Sequence, residues 1–274
     1  MTDPFRIAGP ALISFSGGRT SGYMLHEIVR AYDGRLPDDV VVAFANTGKE
    51  REETLRFVHE CATRWGVRVR WIEWRKAGGF EEVGFNSASR SGEPFAAMIA
   101  DRKYLPNGAM RFCTTELKIR PMRDFARSLG WSTWVNVIGL RYDEGSRVLK
   151  AIDRSEAGKD PWRNAMPLAK AKVTKAHVKA FWEAQPFDLG LRDYEGNCDL
   201  CFLKSRTKLA AIIRENPGIA DWWVDQESRM GKTFEHSYAD IQRQVRAQGH
   251  LFDGFTDDGD EFDAECGLHC SEAA

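Results

Sequence analysis

This sequence has no long hydrophobic run, almost no net charge and no basic segment in its first residues. No apolar run approaches the ~20 residues that a transmembrane helix requires. The 39 Lys and Arg residues nearly balance the 40 Asp and Glu residues, so no bulk positive field favours nucleic acid. The opening MTDPFRIAGPALISF has no basic region of the kind that begins a signal peptide. A membrane or secreted protein is therefore disfavoured, and we expect a cytoplasmic one.

The order of apolar segments predicts the fold class. Hydrophobic residues make up 43% of the 274 residues, enough for a sizeable core. Apolar or alternating runs at 11–13, 40–44 and 67–74 predict strands, and a helical pattern follows each of the first two. This alternation predicts an α/β fold with a doubly wound, mostly parallel sheet.

Two parts of different character follow one another along the chain. We predict a nucleotide-binding α/β domain that includes a cysteine site at 1–205, and a helical C-terminal part with an acidic tail at 206–274. The Gly- and Pro-rich segment 76–112 is predicted to be rich in loops, and the polar segment 141–165 to be irregular.

The stretch SFSGGRTSGYML, at 14–25, leaves the first strand through two glycines and then becomes helical. Backbone N–H groups and a helix N-terminus can hold an anion at such a turn. Ser16, Thr20 and Ser21 add hydroxyl donors, and Arg19 adds a positive charge. The stretch is neither a Walker A motif nor a GxGxxG turn. A phosphate site is the favoured interpretation, and a turn without a ligand is the alternative.

Cysteine is the residue type that most needs an explanation. The six cysteines are Cys61, Cys113, Cys198, Cys201, Cys266 and Cys270. Disulfides are improbable in the cytoplasm, and a Cys-x-x-Cys pair indicates a metal, cluster or redox site. Zinc held with a histidine and a bare redox pair are the alternatives to a cluster. Cys61 lies in a helical pattern and is predicted to be a buried apolar residue.

Several motifs occur in the order of one known family. SGGRTS resembles the PP-loop, SGGxDS or SGGxTS, of the adenine nucleotide α-hydrolase superfamily. FANTGKEREETLRFV, RFCTTELKIRP, VIGLRYDEGSR, GNCDLCFLKS and ECGLH resemble successive segments of its PAPS reductase branch. Asn46 stands where that branch more usually has Asp. The chain thus resembles the PAPS reductase-like proteins of phages and mobile elements.

The resemblance implies a nucleotide site and a [4Fe-4S] cluster. The implied nucleotide residues are Ser14, Ser16, Gly17, Gly18, Arg19, Thr20, Ser21, Asn46, Thr47, Gly48, Gly139, Arg141 and Arg147. The implied cluster ligands are Cys113, Cys198 and Cys201. Thr114 replaces a second adjacent cysteine, so the fourth ligand is left open, with Cys266 and Cys270 as candidates. Cys266, Lys118 and Arg141 are the candidate catalytic residues, although Lys118 also suits a solvated helix face.

Three functions remain in competition. The intact loop resembles loops that use ATP and Mg²⁺, release AMP and pyrophosphate, and pass sulfur from sulfide or a cysteine desulfurase to an acceptor such as a nucleic acid. The ECGLH tail resembles that of PAPS or APS reductases, in which Cys266 would attack sulfur and a thioredoxin-like donor would complete the cycle. A non-catalytic nucleotide-binding module is the third. We favour ATP-dependent sulfur chemistry; the acceptor, the sulfur donor and a homodimer are left open. Trp222 and Trp223 are interpreted as packing residues rather than base-stacking ones.

Overall fold

The computed structural model describes residues 3–196 and 198–248, and it is built on a six-stranded sheet. The strands are β1 Ala11–Ser14, β2 Val40–Asn46, β3 Val69–Arg75, β4 Gly79–Val83, β5 Trp134–Val137 and β6 Trp162–Ala165. Their order is β4-β3-β2-β1-β5-β6, and only the β3–β4 pair is antiparallel. These pairings confirm the predicted mostly parallel sheet. The prediction was possible because strands that are covered on both faces have nearly continuous apolar sequences.

Helices cover both faces of the sheet. They are α1 Arg19–Ala31, α2 Glu52–Arg64, α3 Glu93–Arg102, α4 Phe112–Thr114, a π-helical turn Thr115–Ile119, α5 Arg120–Ser128, α6 Gly145–Glu156, α7 Pro167–Lys170, α8 Lys175–Glu183, α9 Arg206–Glu215, a 3₁₀ turn Pro217–Ala220, α10 Asp221–Met230 and α11 Tyr238–Gln248. The helices α1, α2 and α8 share a core with one face, and α5 packs on the other. The sheet is therefore doubly wound, as predicted.

Two segments contain more regular structure than their sequences predict. The segment 76–112 holds β4 and α3, and the segment 141–165 holds α6 and β6, so the prediction of irregular structure for 141–165 is wrong. The missing signal is apolar periodicity: Ala151 is the buried residue of α6, and β4 exposes its two glutamates. Such surface elements form through backbone pairing and helix contacts that a hydrophobic pattern does not reveal.

A second core joins the helices α9, α10 and α11 to α3 and the π-helical turn. Trp223 and Tyr238 are buried in it with 1% and 0% exposure, and they pack with Phe95 and Leu117. Trp222 meets the Phe95 ring edge-on at 5.5 Å between ring centroids. Both tryptophans pack, as the helical pattern predicts. None of the helices in residues 3–196 and 198–248 combines the length and the apolar character needed to cross a membrane.

Candidate functional site

The glycine turn lies at the point where the strand order of the sheet reverses, between β1 and β5. The chain passes from β1 to β2 on one side, and β5 later pairs with β1 on the other. Ligands of open α/β sheets bind at the carboxyl ends of such strands. The residues that follow β1 and β5 are therefore in the right place to form a ligand site.

The turn holds its own shape through a glycine and two serines. Gly17 has φ +80°, and a Cβ there would lie 2.7 Å from Thr54 Cγ2, so both the backbone and the available space require glycine. Gly18 is the N-cap residue of α1. Ser16 Oγ lies 2.8 Å from Ser21 Oγ, and Ser21 Oγ donates to Gly18 O at 3.0 Å. These hydrogen bonds fix the shape of the turn at the N-terminus of α1, where backbone N–H groups can bind an anion.

A cavity of about 450 Å³ opens at the N-terminus of α1. Its lining includes Gly18 and Thr20 of the turn. Basic side chains outnumber acidic ones at its wall: the basic ones are Arg19, Arg141, Lys175, Lys179 and Arg192, and the acidic ones are Glu183, Asp188 and Asp193. Lys175, Lys179 and Arg192 were missed by the sequence reasoning. The lysine-rich stretch AKAKVTKAHVK was the available signal for the two lysines, and Arg192 lies outside it. The cavity has the charge and size for a phosphorylated nucleotide.

Arg19 connects the turn to the segment that follows α8. Its Nε donates to Asp188 Oδ1 at 2.7 Å and its Nη2 to Asp188 Oδ2 at 2.5 Å and to Leu191 O at 2.8 Å. Burial raises the pKa of Asp188, but the hydrogen bonds from Arg19 and nearby N–H groups outweigh it and hold that pKa below its ordinary value. Arg19 thus supports the cavity wall, and its predicted contact with phosphate stays a prediction.

The segment after β5 reaches the same turn. Arg141 is 5% exposed, and its Nη1 donates to Thr20 Oγ1 at 3.2 Å. A Cβ on Gly139 would lie 3.3 Å from Ser21 Cα, so Gly139 also lies close to α1. Arg147 pairs instead with Glu144. The structure therefore brings Gly139 and Arg141 to the glycine turn, with Arg147 farther along.

Ser14 is bonded within the sheet. Its hydroxyl donates to Asn136 Oδ1 at 2.9 Å, and Asn136 Nδ2 donates to Asn164 Oδ1 at 3.0 Å. These three side chains cross β1, β5 and β6 in a row. This contact stabilises the end of β1, and a nucleotide contact for Ser14 stays a prediction.

Asn46 is fully buried at the end of β2, and its side chain forms three hydrogen bonds. Its Nδ2 donates to Glu73 Oε1 at 2.6 Å and to Ser89 O at 2.9 Å. Its Oδ1 accepts the N–H of Gly48 at 3.2 Å. A carboxylate at this position would face that of Glu73, which explains in physical terms why an amide stands there.

A second cavity brings together three thiols from distant segments. Cys113, Cys198 and Cys201 line it, with Thr47, Thr114, Arg111 and Lys118 beside them. Its free volume is about 20 Å³, room for a single water molecule. Cys61 lies apart in the main core, as predicted, and burial raises the pKa of its thiol far above the ordinary value.

Lys118 reaches the thiol cavity from the π-helical turn and is 8% exposed, so it does not lie on a solvated face. Glu50, missed by the sequence reasoning, is buried nearby. Burial raises its pKa, while the positive charge of Lys118 and hydrogen bonds from Thr47 oppose that rise. Thr47 N–H donates to Glu50 Oε2 at 2.8 Å. Thr47 thus belongs both to the predicted nucleotide segment and to the thiol cavity.

The three thiols line the same cavity. Within residues 3–196 and 198–248, no group of three or more His, Cys, Asp or Glu side chains is arranged to hold a metal ion. Cys266 and Cys270 lie outside the described residues, so their predicted roles stay predictions.

The structure is thus an α/β protein with a glycine turn at the point where the strand order reverses. One cavity opens at that turn, and a second is lined by three thiols. The family model of the phosphoadenosine phosphosulfate reductase domain matches residues 10–189, and the chain belongs to that family. The resemblance drawn from the motifs is therefore confirmed. The match ends before the Cys-x-x-Cys pair.

Two relatives and one solved structure are similar to the chain. The uncharacterized nin region protein ORF290 of Escherichia phage lambda is 27% identical, covering 88% of this chain and 81% of the relative. An uncharacterized protein of Methanocaldococcus jannaschii is 23% identical over 80% of this chain, which spans 41% of that relative. The U34-tRNA thiolase NcsA from Methanococcus maripaludis with its [4Fe-4S] cluster aligns at TM-score 0.44 and 14% identity, covering 86% of this chain and 71% of that one.

Proposed function

We propose that this protein is an ATP-dependent sulfur-transfer enzyme with a thiolate-held iron–sulfur centre. The observation that carries the proposal is the position of Thr47, which follows the strand beside the glycine turn and also lines the thiol cavity. A nucleotide at the turn and a sulfur atom at the thiols would therefore meet at one edge of the sheet.

The turn and its basic cavity suit an adenine nucleotide with its phosphates at the N-terminus of α1. Backbone N–H groups of the first helical turn and the guanidinium of Arg141 would bind phosphate oxygens. Mg²⁺ would bridge neighbouring phosphates, since it is usually bound through substrate phosphates and water. These groups would hold the α-phosphate for attack by an oxygen of the acceptor, which becomes bonded to AMP as the α–β bond breaks, and they would stabilise the charge of the departing pyrophosphate. Sulfide-level sulfur would then displace AMP from the acceptor.

The donor set around the thiol cavity fits a thiolate-ligated centre. Cys113, Cys198 and Cys201 supply soft sulfur ligands, and Lys118 and Arg111 add positive charge that favours the thiolate form. Loading would require the side chains to move apart, because the free volume now admits one water. A bound centre with an open iron would supply affinity for sulfur.

The family's own description supports a second candidate, reduction of a sulfonucleotide. In that scheme the Cys266 thiolate would attack the sulfur of PAPS or APS and form a cysteine S-sulfonate, while the adenosine phosphate leaves as the sulfur–oxygen bond breaks. A thioredoxin-like dithiol would then release sulfite, restore the Cys266 thiol and become a disulfide. The basic cavity would accept that nucleotide equally well, so only the products separate the two candidates.

The test is a product analysis on protein purified without oxygen. Iron, zinc and acid-labile sulfide are quantified first. One reaction then contains ATP, Mg²⁺, sulfide and nucleic acid as the acceptor, and another contains PAPS or APS with reduced thioredoxin. We expect the protein to contain iron and labile sulfide, and to form AMP and pyrophosphate from ATP. We expect Cys113→Ser to lose both the iron and the formation of these products.

Three results would contradict the proposal. Sulfite release that is abolished in Cys266→Ser would establish the reductase. Bound nucleotide without turnover in either reaction would favour the non-catalytic module. Stoichiometric zinc without labile sulfide would replace the iron–sulfur centre by a zinc site.

A further inference from the structure

A buried ion pair joins the segment before α2 to the loop that carries the Cys-x-x-Cys pair. Lys49 Nζ lies 2.7 Å from Asp199 Oδ2, and the two side chains are 7% and 11% exposed. The N–H of Asp199 donates to Lys49 O at 2.8 Å. Glu50 and Cys198 form an antiparallel β-bridge beside it. Backbone and side chains thus join the two segments together.

Aromatic side chains cover the charges of this pair. Lys49 Nζ lies 4.6 Å from the centroid of the Trp222 ring and 5.7 Å from that of Trp223, within the range of cation–π attraction. Trp223 Nε1 donates to Asp199 Oδ1 at 2.9 Å. A Cβ on Gly92 would lie 2.6 Å from Trp222 and 2.8 Å from Lys49 Cδ, so glycine leaves the room that the stack needs. Each charge therefore has specific partners in place of water.

Stability alone does not account for a buried pair of this kind. Replacing a buried ion pair by apolar residues is often neutral or stabilising by about 1–4 kcal/mol, whereas removing one partner destabilises by about 3–5 kcal/mol. The pair therefore disfavours every arrangement in which Lys49 and Asp199 are apart. What it holds in place here is the loop between Cys198 and Cys201, because Asp199 lies between those two cysteines.

The other contacts of this loop lead to the C-terminal side. Tyr238 Oη donates to Leu200 O at 2.6 Å, and Lys204 Nζ donates to Cys198 O at 2.9 Å. Leu200 is fully buried in the second core. Asp199 is thus the side chain that ties the loop to the segment predicted to bind nucleotide, while Leu200 ties it to the helices.

We infer that Lys49 and Asp199 are positioning residues that hold the thiols of Cys198 and Cys201 against the segment 46–50. The inference rests on the proposed function for the identity of the bound centre. The placement of the thiols is measurable without it. Lys49→Met leaves a buried carboxylate without its counter-charge, so the loop opens more often and both thiols become more accessible.

The experiment measures alkylation of each cysteine in reduced, chelator-treated protein without oxygen. Iodoacetamide is added, and the modified peptides are quantified by mass spectrometry over time. In Lys49→Met and Asp199→Asn we expect Cys198 and Cys201 to react about tenfold faster than in the wild type, as local opening predicts. Cys113 in the same molecules should change less than twofold, and Lys49→Arg should restore the wild-type rates.

Two further variants control for folding. Arg154→Met breaks the half-buried ion pair between Arg154 and Asp160, which is not part of this loop, and should leave all three rates unchanged. The double variant Lys49→Met/Asp199→Leu removes both charges while keeping apolar volume, so it should fold and still expose Cys198 and Cys201. Unchanged rates in both single variants, or an equal rise at Cys113, would overturn the inference.

Metal reconstitution separates this inference from the proposed function. With iron and sulfide, we expect Lys49→Met to shift the absorption spectrum and reduction potential of the bound centre, and Lys49→Arg to restore both. If the wild type binds no iron but the selective alkylation appears, the proposed function fails and the inference holds. If the centre forms and both its potential and the alkylation rates are unaffected by Lys49→Met, the inference fails alone.

Discussion

The glycine turn and the thiol cavity place their reactive groups by different means. The turn is one short stretch of chain. Its shape comes from Gly17 and from the hydrogen bonds of Ser21 with Ser16 and with Gly18 O. The cavity collects side chains from five parts of the chain that lie far apart in sequence, at 47, 95, 111–118, 198–203 and 223. The turn therefore resists distant changes, whereas the cavity depends on tertiary contacts such as that of Lys49 with Asp199.

The largest effect is expected at the cavity. Cys198→Ser or Cys113→Ser should reduce bound iron at least about tenfold, because a neutral hydroxyl is a poor replacement for a thiolate. Cys61→Ala, in the main core, is the matched control and should keep its iron. The measurement is iron per protein after anaerobic reconstitution, and full iron in both serine variants would disconnect this cavity from metal binding.

The next effect tests the segment that the two sites share. Asn46→Asp would place a second carboxylate against the buried Glu73 and destabilise the fold by about 2–4 kcal/mol at pH 7. Repulsion raises the folded-state pKa of the introduced carboxyl, so the loss is complete above that raised pKa and recedes as the pH falls toward the unfolded value. Urea unfolding at pH 7 and pH 5 measures it.

Asn46→Leu is the control for that experiment, since it removes the amide without adding charge. Its destabilisation should be nearly equal at the two pH values. A loss in Asn46→Asp that does not depend on pH would show that the new carboxyl avoids Glu73.

A smaller effect is expected from the turn itself. Gly17→Ala should destabilise by about 1–3 kcal/mol more than Gly34→Ala, because overpacking adds to the strain of a positive φ. Both glycines have positive φ, but a Cβ at Gly34 meets nothing within 4 Å. Thermal unfolding and ATP affinity are compared; equal effects of the two variants would mean that Thr54 moves aside easily.

The smallest effect concerns charge at the basic cavity. Arg141→Met should weaken ATP binding about tenfold at low salt, the loss of roughly one charge-assisted contact. The exposed Arg163 on β6 gives the control, and Arg163→Met should bind ATP as the wild type does. Titration calorimetry at two salt concentrations would decide, and equal weakening in both variants would point to long-range charge alone.

The same contrast explains what the sequence could predict. The strands β1 and β2 and the glycine turn are readable because their signals are contiguous: an apolar run, then Gly17 and Gly18. The three cysteines are readable only because spacing and order resemble a family. Lys49 and Asp199 belong to no motif that predicts their contact, and α6 buries too little to show a period. Tertiary partners, not local propensity, decided these features.

The contact between Tyr238 and Leu200 has a consequence for the order of events during synthesis. Chains fold from the N-terminus as they leave the ribosome, so the sheet can form before α11 has emerged. The loop between Cys198 and Cys201 closes against the second core only once Tyr238 has arrived to donate its hydrogen bond. We therefore expect the thiol cavity to reach its final form only after α11 has been synthesised.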